Sequence, residues 1–111
     1  MISPVYSIMA GHIERVVQRF GWAMSLHGSM QRDCDIIITP WTEDAEADAD
    51  VVLTAIYNHV MRKKVKMHPL SKELMPNGRI AYTLIFDIDF HYFDISVIDC
   101  RNKPDGWEKI K

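Results

Sequence analysis

Cysteine is scarce in this sequence: Cys34 and Cys100 stand alone, without CxxC spacing and without a histidine close by. That pattern argues against a zinc ribbon and against a disulfide framework, and it is the pattern of reduced thiols in a cytosol. Long apolar runs are missing too. No stretch approaches the roughly 18 residues that a membrane span needs, and Met1-Ile2-Ser3-Pro4 offers no charged segment ahead of an apolar one. The expectation is a cytoplasmic protein with no membrane partner. An excess of positive charge is also absent, because 13 basic residues face 15 acidic ones for a net charge of −2. A protein whose main partner is nucleic acid is disfavoured on that ground, since phosphate binding draws on clustered Lys and Arg. Repeats and low-complexity segments are lacking. What remains is 111 residues with an ordinary 48% hydrophobic fraction, enough for one core and short of two. A single domain over 1–111 is expected, with 101–111 a tail that docks through Trp107 or frays.

Ser3-Pro4 opens a helix, with Ser as the cap and Pro at the first position, and Gly21 closes it. Between them Val5, Ile8, Met9, Ile13, Val16, Val17 and Phe20 recur at three- and four-residue spacing, the stripe of an amphipathic helix. Trp22, Met24 and Leu26 alternate with Ala23, Ser25 and His27, which predicts a half-buried strand ended by Gly28-Ser29. Asp33-Cys34-Asp35-Ile36-Ile37-Ile38-Thr39 predicts a second strand, covered on both faces and closed by Pro40. From Thr42 a second helix is signalled by Glu43, Asp44, Glu46, Asp48 and Asp50 early and Arg62, Lys63 and Lys64 late, with Val52, Ile56, His59 and Val60 as its buried stripe. His68 to Gly78 is a connecting loop. Arg79–Asp87 and Tyr92–Asp99 then form a hairpin through Ile88 to His91. The order α-β-β-α-β-β predicts an α/β or α+β domain in which a mixed sheet of about four strands packs with two main helices.

Aspartates carry the chemistry. Residues two apart on a strand share a face, with Cα atoms roughly 6.5–7 Å apart, so Asp33 and Asp35 can converge on one cation while Cys34 faces away. Asp94 shares its strand face with Tyr92 and Ser96, opposite Phe93, Ile95 and Val97. If its strand lies beside that of Asp33 and Asp35, with their N-terminal ends together, three carboxylates meet at one end of the sheet. Like charges so close call for a metal ion or for raised pKa values. The glycine of Gly28-Ser29, at the same end, would let a phosphate approach the backbone.

Leu26-His27-Gly28-Ser29, Asp33-Cys34-Asp35-Ile36-Ile37-Ile38 and Phe93-Asp94-Ile95-Ser96 together resemble the nucleotidyltransferase superfamily, in particular its minimal members. The His-Gly-Ser to Pro-Trp-Thr stretch also resembles small proteins of tailed bacteriophages. The superfamily resemblance implies a nucleotidyltransferase-like fold and Mg²⁺-dependent transfer of a nucleoside monophosphate from a nucleoside triphosphate to an acceptor. It implies that Asp33, Asp35 and Asp94 hold the metal, that Gly28 and Ser29 hold phosphate oxygens, and that Arg32 offsets phosphate charge. Asp94 either completes the site or helps to deprotonate the acceptor hydroxyl. One departure stands out: only Met30, Gln31 and Arg32 separate the Gly-Ser turn from Asp33, a shorter spacer than the superfamily usually has. Two rival functions therefore stay open, a catalytically degenerate version that binds a host or phage protein, and a metal-dependent nuclease.

Plainer readings accompany each residue. Asp33 can cap a turn, and Asp87 and Asp89, the rivals to Asp94 for the third acid, read as solvated residues at a hairpin tip. His27 is a hydrogen-bonded structural histidine or a phosphate contact and proton carrier. Arg32 is an exposed loop residue or a triphosphate contact. The Arg62-Lys63-Lys64-Val65-Lys66 run is accounted for by the helix dipole. Trp41 and Tyr92 read as core or edge packing rather than base-stacking platforms. The seven methionines read as gap fillers, and His12 and His59 as partly buried helix residues rather than ligands.

Overall fold

In the computed structural model, the described residues are 4–27, 33–62, 71–74, 80–85, 92–99 and 101. Helix α1 (Pro4–Arg19) leads into β1 (Trp22–His27) and β2 (Asp33–Pro40); helix α2 (Ala49–Arg62) leads into β3 (Ser71–Leu74), β4 (Ile80–Ile85) and β5 (Tyr92–Val97). Five strands form one sheet in the order β1-β2-β5-β4-β3. Among the described strands, β2 and β5 run parallel, with Asp35 registered on Asp94, and the other pairs are antiparallel. The architecture is α+β, with two helices and a five-stranded mixed sheet.

Both helices feed a single apolar cluster. From α1 come Tyr6, Met9, Ile13, Val16 and Val17, and from α2 come Val52, Leu53 and Ile56. They meet Cys34, Ile36 and Ile38 of β2, Tyr82 and Leu84 of β4, and Phe93, Ile95 and Val97 of β5. These sheet residues fall on alternate positions, so all belong to one face. Tyr6 meets Phe93 edge to face, with ring centroids 5.2 Å apart. A contact of that geometry adds to the area that both rings bury.

Four expectations are corrected. The described helices cover β2 on one face; on the other, Ile37 is half-buried among strand neighbours and Asp35 is exposed. A fifth strand, Ser71–Leu74, lies inside the segment expected to be loop, where Ser-Lys-Glu-Leu has no β-branched run to announce it and is held by pairing with β4. Ile8 is 63% exposed and falls outside the buried stripe of α1. Helix α2 starts at Ala49 rather than at Thr42, because Asp48 is its cap: the Asp48 side chain accepts from the Asp50 N–H at 2.9 Å, and its carbonyl accepts from the Val51 N–H at 3.1 Å. Thr42 to Asp48 is instead a loop held by other means. At Gly21, φ is +77° and an added Cβ would lie 2.3 Å from Thr42 Oγ1, so glycine is required both for the turn and for the approach of that loop.

Arg101 is docked rather than frayed. Its guanidinium lies 5.5 Å from the centroid of Trp22 and pairs in two-pronged fashion with Asp99 at 2.9 Å. It also donates to the carbonyls of Ala45 and Glu46 at 3.2 and 3.0 Å. Cys100 and the remainder of the tail, including Trp107, lie outside the described residues.

Candidate functional site

The face of the sheet that the described helices leave uncovered follows from strand parity. Cys34, Ile36, Phe93 and Ile95 face the helices and are buried, so their neighbours Asp35 and Asp94 emerge on the other side, Asp35 exposed and Asp94 half-buried. Because β2 and β5 are parallel with Asp35 opposite Asp94, the two residues stand side by side about 4.8 Å apart at backbone level. Asp33 occupies the same-face position two residues earlier in β2, opposite Tyr92; the side chain of Asp33 lies outside the described residues. The condition set by the sequence, adjacent strands with their N-terminal ends together, is met in the backbone.

The register extends this row in both directions. His27 of β1 is opposite Asp35, and Thr83 of β4 is opposite Asp94. The Thr83 hydroxyl donates to Asp94 Oδ1 at 3.4 Å, and His27 Nε2 lies 3.5 Å from Ser25 Oγ. Four polar side chains thus line up across four strands: imidazole, carboxylate, carboxylate, hydroxyl. Thr83 was missed by sequence reasoning. Its only signal was its strand parity, which has no meaning until the register of β4 on β5 is known. Gly28, Ser29 and Arg32 lie outside the described residues, as do Asp87 and Asp89. The strand ends that flank the first group, His27 and Asp33, are at the aspartate end of the sheet.

Among the described residues, no three His, Cys, Asp or Glu side chains converge on one metal-sized point. The donor set around Asp35 is nonetheless chemically apt for Mg²⁺, a hard cation that takes carboxylate oxygens and keeps several waters. One face supplies two adjacent carboxylates and a position for a third.

A second polar cluster sits on the helix side. Lys72 Nζ lies 3.0 Å from both carboxylate oxygens of Asp50, and the Tyr82 hydroxyl donates to Asp50 Oδ1. These bonds hold the Asp50 carboxyl below its usual range, the Tyr82 bond first and Lys72 second, against a smaller opposing effect of desolvation. Burial, and then the same carboxylate, push the Tyr82 phenol well above its ordinary value. The Asp99 carboxyl is likewise lowered, chiefly by its bonds from Arg101. Sequence reasoning treated Asp50 only as a dipole-matched acid and missed both partners. This cluster ties α2 to β3 and β4.

No family model matches the sequence, and no curated protein does. Among solved structures, the noncanonical poly(A) polymerase complex GLD-2–GLD-3 matches with a TM-score of 0.54 at 17% identity, over 84% of this chain and 32% of that one. The fold is nucleotidyltransferase-like. The GLD-2/RNP-8 complex matches at 15% identity with a TM-score of 0.49, over 86% and 38%. At such identities the likeness concerns fold alone, and the chain spans about a third of the length of the polymerase chain in the first match. No described helix is long and apolar enough to cross a membrane.

Proposed function

We propose that this nucleotidyltransferase-like chain binds a nucleoside triphosphate with Mg²⁺ on the open face of its sheet and transfers a nucleoside monophosphate to an acceptor. The observation that supports this most directly is the parallel β2–β5 register, with Asp35 beside Asp94 on the uncovered face. Asp33, Asp35 and Asp94 hold the metal in this reading. Bound Mg²⁺ supplies neutralisation of the triphosphate and stabilisation of charge on the attacking and leaving oxygens. Thr83, by donating to Asp94, fixes the direction of that carboxylate's remaining lone pairs. Gly28, Ser29 and Arg32 hold the phosphates, and Asp94 also serves to draw the proton from the acceptor hydroxyl.

Calorimetric titration with each nucleoside triphosphate, with and without Mg²⁺, tests the proposal. The expected result is Mg²⁺-dependent binding that falls at least about tenfold in Asp35→Asn/Asp94→Asn while the circular dichroism spectrum is unchanged. No binding by the native chain, or equal binding by that variant, overturns it.

A second reading rests on the three-residue spacer before Asp33. With so short a phosphate cradle, the chain is a degenerate relative that works by binding a protein. In that case nucleotide binding is absent at any Mg²⁺ concentration, and metal-dependent cleavage of DNA or RNA is absent as well.

A further inference from the structure

The end of the sheet farthest from the aspartates carries an oddity. Trp41 follows β2 directly, about 20 Å along the strand from Asp35, and its side chain is 77% exposed. Ile98 is 47% exposed; its N–H bonds to the carbonyl of Ile38, which places it at the same end. Exposed tryptophan in a loose loop would be unremarkable, but this loop is braced. Trp41 and Thr42 donate their N–H groups to the Gly21 carbonyl at 2.9 and 3.0 Å, and Glu46 donates to that of Phe20 at 2.9 Å. The buried Trp22 indole and the Arg101 guanidinium both donate to the Glu46 carbonyl, each at 3.0 Å. Chain order is therefore already in place where the largest apolar side chain of the loop meets water. Preorganised aromatic anchors of this kind carry much of the free energy of protein interfaces.

Charge selects the class of partner. Residues 41–50 contain five acidic residues and no Lys or Arg. Among the described residues the ion pairs are Lys72–Asp50 and Arg101–Asp99, and neither neutralises Glu43, Asp44, Glu46 or Asp48. Beside the loop opens a hollow of about 350 Å³, lined in part by Phe20, Thr42, Asp44 and Glu46, with Arg19 also on its wall. We propose that the loop 41–48 is a docking surface for a basic protein segment that covers Trp41 and places a Lys or Arg side chain in the hollow against Asp44 and Glu46. A phosphate backbone is repelled by the same carboxylates, so nucleic acid is the wrong partner for this surface. The proposal is independent of nucleotidyl transfer, since it uses none of the residues on the aspartate row.

A displayed library of random peptides, selected on the native chain and counter-selected on Trp41→Ala, tests it. Enriched peptides are expected to be net positive with at least one large apolar residue. Their affinity should drop at least about tenfold in Trp41→Ala, drop severalfold in Asp44→Asn/Glu46→Gln, and weaken as salt rises. Nucleotide titration on Trp41→Ala should match the native chain, which separates this result from the fate of the aspartate site. Four outcomes overturn the proposal: no peptide enriched; enriched peptides that are neutral or acidic; single-stranded oligonucleotide binding that Trp41→Ala abolishes; or self-association of the chain, seen by sedimentation, that the same variant abolishes.

Discussion

Alternate residues of the same strands meet opposite fates in this molecule. Cys34, Ile36 and Ile38 of β2 are sealed under two helices, whereas Asp35, one residue away from two of them, is open to water. The helix-covered face holds the fold together through area removed from solvent. The opposite face, which neither described helix covers, carries Asp35 exposed and Asp94, Thr83 and Ile37 half-buried. The difference teaches that position on a pleat, more than position in sequence, separates what stabilises from what acts.

The sharpest way to break that contrast is to cut each face once. Phe93→Ala, which empties a fully buried ring site, should cost about 3–5 kcal/mol in urea unfolding. Asp35→Asn, on the other face of the sheet, should stay within about 0.5 kcal/mol and yet lose Mg²⁺-dependent nucleotide binding. A stability loss from Asp35→Asn comparable to that from Phe93→Ala would dissolve the division of labour. Next comes Gly21→Ala, expected to cost about 1–3 kcal/mol by forcing a side chain into a positive-φ turn. The loss should appear in thermal melts together with loosened packing around Trp22.

Smaller effects sharpen the comparison at the helix-side network. Tyr82→Phe removes the hydroxyl that donates to Asp50 and should cost about 1–2 kcal/mol by chemical denaturation. The pH dependence has two limbs of opposite origin. Asp50 and Asp99 have carboxyl pKa values lowered by folding, so their contribution is present above roughly pH 4 and is lost as pH falls through the folded values. Tyr82 has a raised value, so its contribution is intact below roughly pH 10 and is lost as the pH climbs beyond it. Asp50→Asn should flatten the acid limb and Tyr82→Phe the alkaline one, measured as denaturation midpoint against pH.

Much of this was legible in the residues. The strand Trp22–His27 follows from period-two alternation, and α1 from a capped apolar stripe, because both signals are local. The pairing of Asp35 with Asp94 could be stated only as a condition, since register between strands distant in sequence leaves no local mark. Helix α2 was placed too early because acids at 43–46 mimic a dipole-matched first turn, while the true cap is Asp48. Strand β3 was missed because its pairing, not its composition, makes it a strand. Arg101 gave no sign of docking, as its acceptors include backbone carbonyls of Ala45 and Glu46, which no side-chain pattern reveals.

The lone parallel junction of the sheet also sets an order in time. Asp35 and Asp94 are separated by roughly half the chain, and only the docking of β5 between β2 and β4 brings them together. During synthesis, Asp35 waits on an open strand edge until β5 has left the ribosome and slotted in. A chain truncated before Tyr92 would keep Asp33 and Asp35 on β2 but would lack the Asp94 that stands beside Asp35. The side-by-side placement of Asp35 and Asp94 is thus a mark of completed β2–β5 pairing.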